Sequence, residues 1–377
     1  MNKKIVEVLI DQPINKIIFT KLNIEKLLKI HDVRFLSLKF NNRSAFKNPQ
    51  EKLERGLNLT HFESFKELKN FFKSKNSNTL ICFGSFDQKT LNIIDKKRDH
   101  KIFYYGDYLP TQEKNNLNST ILIKLKKFLV PSNWNRVYRF LFQNTFKLQK
   151  NFSFVILSGG NDGLRQVKQK KIVGSKTNII QINSYDLTRY QKYKKKNQIL
   201  SPSQNYAVFI DQYIPYHPDF ALSGLKNDEP DEYFSKINNF FNSFENSNNL
   251  QIEIASHPRA IYEQNPFDGR TIHYNKTLEL IVNSKIVIGH SSSALSYAVL
   301  EKKPIILIAT NRMINNDFYI KSFQSYLNCP LINISNRFEL SETYEFDELS
   351  YAEYIETFLG NREVYDYDWL SKIEVLN

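Results

Sequence analysis

The sequence predicts an α/β protein made of two Rossmann-type halves, and three observations carry that prediction. Short apolar runs with the length of buried strands alternate with stretches whose apolar residues recur at helical spacing. Such alternation is the pattern of a parallel sheet wound with crossover helices. A polar, proline-punctuated stretch at 199–205, containing Ser201-Pro202-Ser203, divides the runs into two series. The third observation is length, since 377 residues are enough for two domains of ordinary size. The expected division is 1–200, 201–350 and a C-terminal helix in 351–377 that returns to the first domain.

In the first series, residues 5–10, 33–40, 79–83, 101–105, 152–157 and 179–182 read as strands. Helical spacing lies between them: Ile24, Leu27, Leu28 and Ile30; then Phe62, Phe65, Leu68, Phe71 and Phe72; then residues 91–97. Residues 112–150 interrupt the alternation. They carry eight basic residues against one acidic residue, Glu113, interleaved with aliphatic and aromatic side chains. Such a segment would lie against an anionic membrane surface or, equally, pack as two ordinary amphipathic helices.

The strand at 152–157 runs into Ser158-Gly159-Gly160-Asn161-Asp162-Gly163. Three glycines in five positions allow tight turns and close ligand approach, although the G-x-G-x-x-G dinucleotide spacing is absent. A carboxylate just past a strand end is placed to act as a general base, which makes Asp162 the catalytic candidate, with Gly160 and Asn161 beside it. A turn-forming Asp-Gly is the alternative. Asp186 follows the next strand and is a second carboxylate candidate, at the start of a basic helix through Lys196.

The second series opens at 206–210 and feeds a polar, aromatic loop. Asp211 stands at the strand end, and Tyr213, Tyr216 and His217 are candidate sugar contacts; a rigid loop punctuated by proline is the competing explanation. Residues 232–244 read as a helix. The apolar run 251–255 leads into Ser256-His257-Pro258-Arg259, and 286–288 leads into Gly289-His290-Ser291-Ser292-Ser293-Ala294, followed by a helical stretch at 295–301 and a strand at 304–308. In parallel sheets ligands bind outside the carboxyl ends of the strands, where both clusters fall. Ser291, Ser292 and Ser293 at a helix start would supply hydroxyls and backbone N–H groups to an anion, and His257 and Arg259 would add donors. Helix capping explains one serine of the three. His290 reads as a further ligand or a loop residue.

Composition narrows the classes. Apolar content of 41% with 14% aromatic residues indicates packed cores. The two cysteines, Cys82 and Cys329, give neither a disulfide framework nor metal-ligand spacing, so a cytoplasmic protein is expected. No leader segment or run of 18 apolar residues is evident, which leaves peripheral association as the expected limit of membrane contact. A net charge of +13 points to an anionic partner. No helix-turn-helix, zinc-finger or RNA-recognition signature is present, so nucleic acid is not the expected partner.

These residues carry a resemblance. Residues 206–220, Ser256-His257-Pro258 and residues 289–304, with the Gly159-Gly160 turn, resemble bacterial surface and capsular carbohydrate biosynthesis glycosyltransferases of the GT-B fold. The paired His-Pro and Ser-Ser elements also resemble those of bacterial sialyltransferases, polysialyltransferases and Kdo transferases. The resemblance covers the second half well and the first half weakly. It implies two Rossmann-like domains facing a central cleft, an acceptor bound by the first and a nucleotide-sugar donor by the second. It implies a CMP-activated donor, with His257 and Pro258 on the CMP phosphate and nucleotide and Ser291, Ser292 and Ser293 holding the phosphate. Family members carry an acidic-acidic-Gly motif whose second acid deprotonates the acceptor; Asn161-Asp162-Gly163 departs from it at Asn161. The glutamate that many UDP- or GDP-sugar enzymes place after the phosphate loop is replaced by Ser296-Tyr297-Ala298, with Glu301 further on.

The resulting expectation is transfer of a nonulosonic acid or Kdo from a CMP-sugar to a bacterial surface glycan, lipid-linked or free, with no metal required. Two alternatives stand beside it. One is a UDP-sugar-using enzyme of the same fold, a hexosyltransferase or an epimerase. The other is a non-catalytic protein that binds anionic polymers through the basic residues of 112–197, whose affinity would fall steeply with salt.

Overall fold

The computed structural model describes residues 3–39, 56–73, 79–84, 86, 88–94, 99–106, 109–110, 152–169, 172–197, 205–216, 228–315, 319–363 and 368–373. The basic segment 112–150, most of the expected linker and His217 lie outside the described residues. The described chain forms two compact units. One holds the residues up to 106, 152–185 and 368–373; the other holds 109–110 and 186–363.

The first unit is built on a seven-stranded, wholly parallel sheet: β1 (Ile5–Ile10), β2 (Asp32–Leu38), β3 (Asn58–Phe62), β4 (Thr79–Phe83), β5 (His100–Gly106), β6 (Phe154–Ser158) and β7 (Asn178–Ile182). The strand order is β3-β2-β1-β4-β5-β6-β7. Alternation along the strands fills two cores. Val6, Val8 and Ile10 face one with Phe35, Ile81 and Ile102, while Leu9 faces the other with Leu36, Leu80 and Cys82. Burial on both faces is why β1, β2, β4, β5 and β6 read as near-continuous apolar runs.

Two local readings are corrected here. Phe62 was expected within a helix, but it ends the edge strand β3, whose Asn58, Thr60 and His61 are exposed and give no apolar run. The helix Phe65–Phe71 starts only after Ser64, whose Oγ accepts from the Glu67 N–H at 3.3 Å, while the Glu67 carboxylate accepts from the Glu63 N–H at 3.0 Å. The alternative of a turn at Asp162-Gly163 is not what forms: Asp162 begins the helix Asp162–Gln169.

The second unit repeats the plan with six parallel strands: β8 (Tyr206–Ile210), β9 (Gln251–Ala255), β10 (Ile272–His273), β11 (Ile286–Gly289), β12 (Ile305–Ala309) and β13 (Leu331–Asn333), ordered β10-β9-β8-β11-β12-β13. The helix Pro230–Asn248 connects β8 to β9 and buries Tyr233, Phe234, Ile237, Phe240, Phe241 and Phe244 along one stripe. Pro230 suits its first turn, where the missing N–H has no intrahelical partner anyway. Both sheets therefore have the doubly wound Rossmann order, and the fold is α/β with two Rossmann-like domains.

The unit boundary at 185/186 lies earlier in the chain than residue 200, where the sequence puts it. The helix Tyr185–Lys196 explains the difference: Asp186 accepts from the Tyr297 hydroxyl at 2.8 Å, and Lys194 pairs with Glu301 at 3.0 Å. The expected single helix in 351–377 is also divided. The helix Glu348–Tyr354 and the π-turn Ile355–Leu359 belong to the second unit, and 368–373 to the first. No helix among the described residues is long and apolar enough to cross a membrane.

Candidate functional site

The order of the second sheet reverses between β8 and β11, and the crevice outside the carboxyl ends of such strands is where α/β sheets bind ligands. Asp211 follows β8, Ser256 and His257 follow β9, His290 and Ser291 follow β11, and Thr310 follows β12. The residues singled out in the second half are thus gathered along one edge by strand order alone.

Asp211 organises this edge. It is 2% exposed. Its Oδ1 accepts from the Tyr213 N–H at 2.7 Å; its Oδ2 accepts from the Tyr262 hydroxyl at 2.9 Å and the His257 N–H at 3.3 Å. One carboxylate therefore ties together the loops after β8 and β9. Gln212 ties the β8 loop to the β11 loop, donating to the Ser291 carbonyl at 3.2 Å and accepting from the Ser291 N–H at 2.9 Å. Burial raises the Asp211 pKa above its ordinary 3.8, and the donors from Tyr213, Tyr262 and His257 partly offset that rise.

With its folded pKa raised, Asp211 binds a proton more readily in the folded chain, so stability falls as pH rises through that raised value. Asp211→Asn removes this titration, and the wild-type advantage over the variant should shrink as pH rises from 4 to 7. Urea midpoints across that range measure it; parallel profiles would show that Asp211 does not titrate there.

His257 is half-buried, and its Nδ1 accepts from the Arg259 N–H at 3.1 Å. That bond leaves the proton of the neutral ring on Nε2. Its carbonyl accepts from the Ala260 N–H at 2.9 Å, closing a turn that exposes Pro258 and Arg259. In the serine loop, Ser292 Oγ accepts from the Ala294 N–H at 3.3 Å, so one hydroxyl of the three is used by the turn. Ser293 is exposed, and Ser291 and Ser292 are half-buried.

His290 is a correction. Its side chain is fully buried, with Nδ1 2.6 Å from the Ile308 carbonyl and Nε2 2.9 Å from the Tyr233 hydroxyl. Both ring nitrogens are used inside the core, so the residue fixes the end of β11 instead of presenting a donor to a ligand. The sequence shows His290 beside the serines, but the inward orientation comes from strand alternation against β12.

Asp162 lies in the first unit, at the start of its own helix. Its Oδ1 accepts from Arg165 Nε at 2.6 Å and its Oδ2 from Gln166 Nε2 at 2.7 Å. Gln166 in turn accepts from the Tyr105 hydroxyl. Gly160 is buried and Asn161 exposed, after Gly159 takes the positive φ of 132° that turns the chain out of β6. Asp186 is held by Tyr297 as described above, and Glu301 by Lys194.

Sequence reasoning missed Gln212, Tyr233, Tyr262 and the buried pair of Thr310 and Asp228, whose hydroxyl-to-carboxylate distance is 2.7 Å. None of these stands in a motif; each matters through a partner at least 51 positions away. A cavity of about 790 Å³ lies elsewhere, at the amino ends of β8 and β9, lined by Asn205, Gln251, Glu245 and Arg270. Its arginine is held by Glu245, Asn242 and the Phe267 carbonyl, which gives it a structural duty. Among the described residues no group of three or more His, Cys, Asp or Glu is arranged to hold a metal.

No protein-family model matches the chain, and no curated protein matches it either. Solved structures resemble it at low identity. The wall teichoic acid polymerase TagF, as its H444N variant, matches at 11% identity and TM-score 0.44, covering 88% of this chain and 77% of that one. The UDP-GlcNAc 2-epimerase of Methanocaldococcus jannaschii, in complex with UDP-GlcNAc and UDP, matches at 12% and 0.45, covering 93% and 98%. The spinosyn forosaminyltransferase SpnP matches at 10% and 0.38, covering 97% and 94%.

Proposed function

We propose that the chain is a GT-B glycosyltransferase that transfers a sugar from a nucleotide-activated donor to a bacterial surface glycan. The donor we propose is a CMP-linked nonulosonic acid or Kdo. The observation that carries the reading is the convergence of the β8, β9 and β11 loops at the order reversal of the second sheet, held together by Asp211 and Gln212. Strand ends at such an order reversal, carrying a histidine and three serines, suit a nucleotide phosphate.

The chemistry follows from the residues. Departure of CMP leaves negative charge on its phosphate, and prepositioned hydroxyl and N–H donors stabilise charge that develops there. Ser292, Ser293 and the Nε2–H of His257 would supply those donors, and Arg259 a fixed positive charge. In this reading the neutral His257 ring keeps its proton and donates an Nε2–H hydrogen bond to the leaving phosphate, because Nδ1 already accepts from the Arg259 N–H. The incoming acceptor hydroxyl must lose a proton to a carboxylate. Asp162 is the proposed base, its side chain oriented by Arg165 and Gln166.

Thermal shift against CMP, UDP, GDP and phosphate tests the reading on wild type and His257→Ala. A ligand bound only by the folded chain raises its Tm. CMP should raise the wild-type Tm, and His257→Ala should lose most of that rise. A UDP-only response would favour the hexosyltransferase or epimerase alternative. No response to any nucleotide would favour the non-catalytic polymer binder.

A further inference from the structure

We infer that the Tyr213–Tyr216 turn is the platform on which the nucleobase of the donor stacks, an inference that rests on the proposed nucleotide site. The turn leaves the end of β8 beside the order reversal of the sheet, directly after Asp211 and Gln212. Gln212 holds the Ser291 backbone through two hydrogen bonds, so the aromatic turn and the serine loop share one clamp. A nucleotide whose phosphate meets the serines would have its base near this turn.

The turn presents flat apolar surface where a base could use it. Tyr216 is 48% exposed, and Ile261 beside the turn is 67% exposed. The Tyr213 hydroxyl donates to the Ile261 carbonyl at 3.2 Å, which joins these surfaces. The Tyr213 and Tyr216 rings stand 5.1 Å apart, with Tyr262 edge-on to Tyr213 at 5.3 Å and Phe234 behind Tyr216 at 6.4 Å. Among the described residues the Tyr216 ring contacts Tyr213 and Phe234, and it remains about half exposed.

The backbone is committed to this arrangement. Tyr213 has φ of +56°, a left-handed conformation that is unfavourable for a bulky side chain. It is held there by the Asp211 carboxylate on its N–H, and the turn is closed by the Tyr216 N–H donating to the Tyr213 carbonyl at 3.0 Å. A core-only aromatic cluster has no need of such a conformation, and strained residues concentrate at ligand sites. Aromatic stacking tolerates any base, so this platform supplies affinity, and discrimination between bases lies elsewhere.

The test is isothermal titration of wild type, Tyr216→Ala, Tyr216→Leu and Tyr216→Phe with CMP or UMP, whichever wild type binds, and with ribose 5-phosphate as a base-free probe. Stacking on one aromatic ring predicts about a tenfold weaker nucleotide Kd in Tyr216→Ala. Tyr216→Leu, which keeps apolar bulk without a flat ring, should weaken binding similarly, and Tyr216→Phe should retain it. Ribose 5-phosphate affinity should be unchanged in all three. Unchanged nucleotide affinity in Tyr216→Ala overturns the inference while leaving the nucleotide site standing. Equal losses for nucleotide and ribose 5-phosphate also overturn it, because the turn would then only shape the site. A wild type that binds neither nucleotide overturns the functional reading and this inference with it.

Discussion

Replacing His290 with leucine is expected to destabilise the chain by about 3 kcal/mol at neutral pH and to remove much of its acid sensitivity. The neutral loss has a local cause, since the substitution strands the buried Tyr233 hydroxyl and Ile308 carbonyl that the ring joins. The acid effect comes from burial, which pushes the His290 pKa down from 6.5 to about 4; the Ile308 carbonyl offsets only part of that. A histidine depressed on folding is protonated first in the unfolded chain. Stability is therefore lost as pH falls from 6.5 to about 4, by about 3 kcal/mol in all. His290→Leu has no such term, and its stability curve should converge on that of the wild type by pH 4. Groups around the ring include Tyr233 and, through it, Asp211 and Asp228, so the Asp211→Asn comparison is needed to separate the opposing carboxylate contribution. Unfolding free energies from urea titration at pH 7, 5.5 and 4 read the result. Parallel curves would mean that His290 is not held neutral.

Trp369→Ala is expected to cost the first unit about 4 kcal/mol, the loss typical of deleting a large buried aromatic side chain. Trp369 has no exposed surface and packs in the core that includes Val8, Phe35, Ile81 and Ile102. Its ring meets Tyr104 edge-on at 6.2 Å, and its Nε1 donates to the Lys21 carbonyl at 3.1 Å. Lys26 pairs with Asp368 at 2.7 Å, but both side chains are about half exposed, so that pair contributes little. Thermal unfolding with a first-unit probe should show the loss. Trp369→Phe should recover most of the packing and lose only the hydrogen bond. A stability change under 1 kcal/mol for the alanine variant would mean that residues 368–373 do not close this core.

The Trp369 contact spans 348 positions of sequence, and it marks the limit of what the sequence shows. The central strands of both sheets were legible as apolar runs because parallel strands buried on both faces leave no polar alternation, whereas the short, half-buried β13 was not read. β3 was hidden for the converse reason: at the sheet edge it carries Asn58, Thr60 and His61 in exposed positions. The helix Asp162–Gln169 was hidden by an Asp-Gly pair that suits a turn, although the Asp162 carboxylate binds Arg165 and Gln166 one turn on. In such cases local propensity points two ways and tertiary packing decides.

The sequence by itself determined the α/β class, the two Rossmann-like domains and the polar clusters at the strand ends, because each follows from residue order within one strand, loop or helix. Only the tertiary structure decided which side chains stand at the strand-end edge and which face the core. His257 and the serines lie at the edge, while the adjacent His290 is sealed between Tyr233 and Ile308. Asp211 proved to be the tie between two loops, with partners at Tyr213, His257 and Tyr262. The physical reason is that strand order and pleat set these partners, by hydrogen bonds between segments tens of residues apart, and no local pattern records them.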